Sequence, residues 1–419
     1  MIKMKPNKFN FLTDTPDPVC AYKWGWSTIF LQQGKTSSCH RTFSDTITPE
    51  TFSTFHNTPT KLKTRQSMLN GDWPGHGCEY CKDIEKSGGK SDRIDLNNHI
   101  DIDQYIPVEL QNDNTAINVQ PTMLEVYFSN LCNMNCVYCD YRFSSTWENE
   151  VRKHNLVNID YLNNLLLSKE DYEKMLSEYW RWFKDNAKKL KKYNVLGGEP
   201  FFQPELYKNI DFFEENPCPE LIMTVFSNLK VDEKRFRETL DQIQNLVNRK
   251  HLRYFRITAS IDCWGPQQEY VRTGLNLKQW EKNFRILVTE YPDIKVELHG
   301  TLSCLTIKTI PELLRLRNEL NEGKLSSQKV NVTHNLVTNP KYMAPGIFPE
   351  GYFDADFDRI INVLPDEYDK EIMSGYQNTI NRKPYEHDKI LKLKEELSII
   401  DKRRNMDYKP LFPWLEEFK

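Results

Sequence analysis

From Met123 onward, short runs of β-branched and aromatic residues alternate with longer stretches whose apolar positions recur at helical spacing. This is the pattern of a parallel α/β sheet or barrel. The strand-like runs are MLEVYFS from Met123, YNVLG from Tyr193, LIMTVFS from Leu221, YFRITASI from Tyr254, KVELHGTL from Lys295 and KVNVTHNLV from Lys329. Between them, Tyr172, Met175, Leu176, Tyr179, Trp180 and Phe183 form an i, i+3, i+4, i+7 stripe behind a Ser168-x-x-Asp171 capping box. Phe236, Leu240, Ile243 and Val247 repeat that spacing, as do Leu277, Trp280, Phe284 and Leu287, and each set predicts a helix with its apolar side on the core. After Pro340 the strand signal ends, and Phe353 to Leu364 and Ile390 to Arg404 read as helices of a tail that closes the open end of the sheet. Asp95 to Gln120 has no Lys or Arg, many Asn and Asp, and little periodicity. It is expected to be a linker, 95–120, between an N-terminal module, 1–94, and a strand-rich domain, 121–345, with 346–419 as a helical extension.

A chain of 419 residues with 39% hydrophobic content can fill the cores of two domains, or of one domain with an accessory module. The net charge of −3 gives no overall positive field, so long nucleic acid is not an expected partner. No apolar run is long enough to span a bilayer, and MIKMKPNKFNFLTDTPDP lacks the features of a secretory signal, which predicts a cytoplasmic protein with no membrane partner. In that reducing compartment ten cysteines suggest metal or cluster ligation before disulfides. Seven have motif-like spacing: Cys20, Cys39, Cys78, Cys81, Cys132, Cys136 and Cys139. The isolated Cys218, Cys263 and Cys304 read as packing residues.

Residues 131–140, LCNMNCVYCD, place Cys132-x3-Cys136-x2-Cys139 just after a predicted strand. Three thiolates this close can ligate three irons of a cubane and leave the fourth without a protein ligand. Structural zinc would want four closed ligands, and no His or further Cys lies close by in sequence. The earlier set differs. Cys20 is followed by thirteen residues and Gly34, then four residues and Cys39, and later by Cys78-x2-Cys81. Four thiolates make a closed site that suits a fully ligated cluster or tetrahedral zinc equally well.

The central motif, with Tyr138 at its aromatic position, resembles the signature of the radical S-adenosylmethionine (SAM) superfamily, which carries it after the first strand of a partial (βα)6 barrel. The resemblance implies that the open iron of a [4Fe-4S] cluster chelates the amino and carboxylate groups of SAM. Reduction then yields a 5′-deoxyadenosyl radical that removes a substrate hydrogen atom. Gly197, Gly198 and Glu199, in LGGEP after the second strand, match the family's contact to the SAM amino group. Ser227 and Asn228 match a polar pair near the ribose. Ser260-Ile261-Asp262, with Tyr270-Val271-Arg272-Thr273-Gly274, is similar to further SAM elements, so Ser260 and Arg272 are implied contacts to the SAM carboxylate or ribose. Ser and Asp at strand ends also serve as ordinary helix caps. Asn335-Leu336-Val337 resembles the segment lining the adenine, and His299 and Thr301 alternate toward the same mouth.

Cys-x13-Gly-x4-Cys and the run RQSMLNGDWPGHGCEYCKDIEKSGGKSDR from Arg65 resemble the auxiliary-cluster module of SPASM and twitch radical SAM proteins. Here the module precedes the barrel, and the longer cysteine series of a full SPASM domain is absent. The resemblance thus implies one auxiliary [4Fe-4S] cluster, two clusters in all, with an electron-transfer or structural role and an electron donor of flavodoxin or ferredoxin type. The expected substrate is a peptide side chain, or a sugar or other small molecule. A nucleotide or RNA is the alternative, and a zinc-stabilised binding protein is the alternative from another class. Glu125, Asp140 and Asp262 are available carboxylates without an assigned catalytic role, while Arg93, Asp401, Arg403 and Arg404 read as solvated charges.

Overall fold

The computed structural model describes residues 16–39, 42, 44–86, 90–97 and 102–419. Its strands are β1 (Trp26–Phe30), β2 (Lys35–Ser37), β3 (Asp45–Thr46), β4 (Met123–Tyr127), β5 (Lys192–Leu196), β6 (Cys218–Ser227), β7 (Leu252–Ser260), β8 (Lys295–Leu302) and β9 (Asn331–Leu336). They follow the sheet order β3-β2-β1-β4-β5-β6-β7-β8-β9. β1, β4, β5 and β6 pair in parallel, as do β7, β8 and β9, whereas β2 and β3 are antiparallel additions at one edge. Each of the six strand-like runs contains a strand. The N-terminal strands are additional, and β1 shows why pattern misses them: its five residues are WSTIF, and four of the five are buried, so no polar alternation marks it.

The chain forms two compact units, one of Met1–Asn130, His154–Val225 and Leu246–Phe255, the other of Leu131–Lys153, Phe226–Asn245 and Arg256–Lys419. In the first, Ser168 caps the helix Lys169–Asn186 by accepting from the Asp171 amide. That helix seats Tyr179 and Phe183 in an aromatic cluster with Phe128, Tyr193 and Phe213. The hydroxyls of Tyr179 and Tyr193 meet at 2.7 Å, and Tyr193 donates to Asn209 Oδ1 at 2.9 Å. No phenol in this core is left without a partner.

The segment expected to be a linker is built into the first unit. It carries part of the helix Asp92–Asn97 and the helix Val108–Asn112. Its Ile102, Ile106, Leu110 and Val119 are buried in one cluster with Val19, Cys20, Trp24 and Cys78, while 98–101 lie outside the described residues. Elements of one or two turns anchor single apolar residues and leave no period to read.

The helices Glu233–Asn248 and Leu277–Glu290 form where the stripes predicted them, and in the second unit Trp280, Phe284 and Leu287 are fully buried. The tail comprises Asp354–Val363, Glu367–Asn381 and His387–Arg404, the last burying Ile390, Leu393, Leu397 and Ile400 along one face. On β9, His334 is buried, and neither ring nitrogen has a partner among the described residues. The neighbouring position on β8 is Gly300, where a Cβ would stand 2.9 Å from the His334 ring.

Two outcomes follow for stability. Leu110→Ala is expected to cost about 2–5 kcal/mol in urea unfolding, and Val108→Ala, at a position 62% exposed, close to nothing. Burial, with His299 and Arg317 nearby, pushes His334 down to about 4. The unfolded imidazole protonates near pH 6.5, so the neutral folded form loses stability as pH falls from there toward 4, by up to about 3 kcal/mol. Unfolding at pH 7 and pH 4.5 should show a larger loss for the wild type than for His334→Gln.

Candidate functional site

The loop bearing Cys132, Cys136 and Cys139 is braced through its peptide groups. The Cys132 amide donates to Ser145 Oγ at 3.1 Å, and Thr146 Oγ1 donates back to the Cys132 carbonyl at 2.6 Å. Ser144 Oγ donates to the Met134 carbonyl and Trp147 Nε1 to the Cys136 carbonyl, at 2.6 and 2.7 Å. The Asn135 and Val137 amides reach the Thr273 and Val271 carbonyls. All four bracing side chains open or precede the helix Ser145–Lys153, so the sequence directly after the motif holds the motif. Burial pushes the Cys139 thiol well above its ordinary range, and Cys136 and Cys132 push it further. Burial raises Cys136 also, with Arg272 opposing. Crowded thiols that resist ionisation singly become thiolates on a shared cationic group, which suits them to a metal cluster. Among the described residues no three His, Cys, Asp or Glu side chains close on one ion-binding point. Cubane thiolates each sit on a different iron, so they stand farther apart than ligands of one ion.

Tyr138 reaches the end of β7. Its hydroxyl donates to Asp262 Oδ2 at 2.6 Å, and Arg272 grips the same carboxylate through Nε at 2.9 Å and Nη2 at 2.8 Å. The Thr301 amide on β8 adds a fourth donor at 2.8 Å. Asp262 is fully buried and Arg272 nearly so. Burial works against the Arg272 charge, but Asp262, Tyr138 and Cys136 outweigh it and hold the guanidinium ionised. The Tyr138 phenol is pushed well above its range, first by burial.

Arg403 and Arg404, expected on the solvated surface, are instead packed against the cysteine loop. Glu150 pairs with Arg403 Nε at 2.9 Å and Arg404 Nη2 at 3.0 Å, and also accepts from Asn135 Nδ2 at 2.7 Å. Arg404 Nη1 donates to the Asn135 carbonyl and to Thr273 Oγ1, and its guanidinium lies 4.6 Å from the Trp147 ring centre. Asp401 accepts from the Tyr270 hydroxyl at 2.7 Å. Nothing in local sequence marks these charges as buried, because their partners lie more than a hundred residues away.

The remaining expected contacts divide between the units. In the first, Gly197 has φ +88°, and a Cβ there would come within 2.9 Å of the Ser129 carbonyl. Gly198 is also left-handed, at φ +53°. Glu199 is fully buried and its carboxylate accepts from the Phe201 amide at 3.1 Å, an N-cap geometry. Glu125 on β4 accepts from Thr28 at 3.2 Å and Asn194 at 3.5 Å, cross-linking three strands. In the second unit, Ser227 accepts from the Leu229 amide at 3.0 Å, and Asn228 donates to Asn133 Oδ1 at 2.9 Å, tying this turn to the cysteine loop. Ser260 ends β7 beside His299. His299 contacts Thr333 at 2.9 Å and Asn335 at 3.5 Å, and the Val337 amide extends the β8 pairing through the Leu302 carbonyl.

The N-terminal cysteines are drawn together. Cys20 and Cys78 are buried, Cys39 and Cys81 half-buried. Burial and then Cys39 push Cys20 up to about 12, with a further contribution from Cys78. Burial raises Cys78 too, and Cys81 adds to it. Arg93 is buried here, not solvated. It donates to the carbonyls of Asp17 and Val19 at 2.6 and 3.0 Å while Glu85 pairs with it at 2.6 Å. Asn97 accepts from the Ala21 amide at 3.0 Å. Cys20 is therefore held from both sides. Thiols that burial and one another hold protonated, as at Cys20 and Cys78, fit a cationic metal group on the same grounds as the central three.

No family model and no curated protein matches the chain. Among solved structures, Streptococcus suis SuiB bound to S-adenosylmethionine aligns at TM-score 0.38 and 17% identity over 75% of this chain and 63% of SuiB. TYW1 with a lysine-pyruvate adduct bound aligns at TM-score 0.28 and 13% identity over 55% of this chain and 68% of that one. The chain thus spans about 63% of the length of SuiB, and scores of this size do not establish a common fold.

Glu150→Gln strips the largely buried Arg403 and Arg404 side chains of their carboxylate, and Arg404→Gln strips Glu150 of one of its two cations and the Asn135 carbonyl of its donor, a loss of up to about 3 kcal/mol in either case. Amide exchange across 132–147 should accelerate on the order of a hundredfold in either variant, with exchange around Ala21 unchanged.

Proposed function

We propose that this chain is a radical SAM enzyme, with Cys132, Cys136 and Cys139 holding a [4Fe-4S] cluster that leaves one iron for SAM, and Cys20, Cys39, Cys78 and Cys81 holding an auxiliary cluster. The observation that carries this reading is the central loop. Three mutually repelling thiols stand on a backbone whose bracing bonds come from its own following helix and from the 271–273 segment. They follow the carboxyl end of a parallel strand, where open α/β sheets bind ligands. When bound, the cluster and SAM supply a 5′-deoxyadenosyl radical for hydrogen abstraction.

This chain's own residues orient and protect that chemistry. Trp147 and Thr146 fix the carbonyls beside two of the three cysteines, so each sulfur departs from a fixed backbone. Asp262 holds Arg272 beside Cys136, where the guanidinium favours thiolate over thiol. Gly197 and Gly198, left-handed after β5, supply the backbone approach expected for the SAM amino group, and Ser260, Asn228, Asn335 and Val337 are the remaining candidates for its ribose and adenine. Among the described residues no helix is long and apolar enough to cross a membrane. We place the protein in the cytoplasm with a flavodoxin- or ferredoxin-type donor, acting on a peptide side chain or a small molecule.

Anaerobically purified protein should contain iron and sulfide. The Cys132→Ala/Cys136→Ala/Cys139→Ala variant should lose about half of that iron, as two four-iron clusters require. Reduced wild type should release 5′-deoxyadenosine from SAM, and the variant none. Protein that carries zinc unchanged by the triple substitution, and no iron, would sink the radical reading in favour of a zinc-stabilised binding protein.

A further inference from the structure

Besides Arg93, which Glu85 pairs, the first unit buries the cations Lys23, Lys61 and Arg65 at 5%, 5% and 0% exposure. Among the described residues none has a carboxylate within ion-pair distance. Lys61 is surrounded by oxygen, donating to Ser27, Thr36, Ser37 and Phe55 at 2.7–3.1 Å. Arg65 donates to the carbonyls of Lys23, Ile117 and His56 and to Asn57. Both are solvated by the protein.

Lys23 is different. Its ammonium has an oxygen acceptor in Ser38, at 3.1 Å, the residue beside Cys39. Its charge acts on the sulfurs of Cys78 and Cys20, and its backbone amide donates to the Cys20 carbonyl at 2.9 Å, so the residue is fastened to Cys20 through the main chain and to the neighbour of Cys39 through its side chain. An ammonium buried with one neutral oxygen acceptor among the described residues is costly, and four protonated thiols do little to offset it. Four thiolates around a dipositive core would leave roughly two negative charges at this place. The cation and the cysteines then satisfy one another.

We propose that Lys23 is the charge partner of the tetracysteine site and sets its redox poise: the buried ammonium, held by Ser38 next to Cys39, favours the more negative, reduced state of an iron cluster there. The proposal rests on reading Cys20, Cys39, Cys78 and Cys81 as iron–sulfur ligands. Hydrogen bonds to cluster sulfurs and local charge both move reduction potentials.

The test uses the full chain carrying Cys132→Ala, Cys136→Ala and Cys139→Ala, so that the remaining iron signal belongs to the N-terminal site. In this background Lys23→Met and Lys23→Arg are reduced stepwise with dithionite and mediators and followed by electron paramagnetic resonance. The Met variant should shift the midpoint to more negative potential, and the Arg variant should recover most of the shift. Retention of iron by the Arg variant and its loss from the Met variant would also support the charge pairing. Equal midpoints in Lys23 and Lys23→Met protein, or equal loss of iron from both variants, would overturn it. A parent that holds zinc and no iron would instead overturn the cluster reading itself, before any Lys23 variant is made.

Discussion

One carboxylate, Asp262, gathers the chemistry of the second unit. Four donors from three segments converge on it: Tyr138 from the cysteine loop, the two arms of Arg272, and the Thr301 amide on β8. A fully buried carboxylate is tolerated because every approach is met by a donor. In return it fixes which way the aromatic residue of the cysteine motif points and keeps Arg272 charged beside Cys136. Removing it would leave a guanidinium, a phenol and an amide to find other partners in a dry interior.

The two cysteine sets share an electrostatic arrangement, although beyond a Cys-x-Tyr-Cys step, Cys78 to Cys81 and Cys136 to Cys139, their spacings differ. Each crowds buried or half-buried thiols whose charges oppose one another, and each stations a cation where it eases that opposition, Arg272 near Cys136 and Lys23 near Cys20 and Cys78. Each also fastens the backbone around its sulfurs with charged side chains, Arg404 to the Asn135 carbonyl and Arg93 to the Val19 carbonyl. If these cysteines hold the clusters proposed above, less of the binding energy is spent on ordering the chain.

Much of this was legible in the sequence, for reasons particular to each part. The six later strands announce themselves through β-branched runs, and Ser168 with Asp171 announces the start of a long helix; both are local signals, and both elements form. Cysteine spacing is local too; Cys136 and Cys132 act on the buried Cys139 thiol, and Cys39 and Cys78 act on Cys20. Strand β1 was hidden because it is short and buried on both faces. The 95–120 segment looked like a linker because its buried residues, Leu110 and Val119 among them, are scattered through Asn and Asp without a period. Arg93, Arg403, Arg404 and Lys23 were misjudged or passed over because a charged residue carries no local mark of burial. What decides its fate is a partner elsewhere in the chain, and spacing says nothing about that.

The contact between Glu150 and Arg404 spans 254 residues of chain. At translation rates of about 5–20 residues per second, a ribosome needs on the order of ten to fifty seconds to cover that distance after Glu150 is made. Throughout that interval the nascent cysteine loop has its own helix beneath it but not its clamp. The clamped form of the loop therefore exists only after synthesis of the last long helix, and a cluster of the kind proposed above would meet a rigid loop no earlier than that.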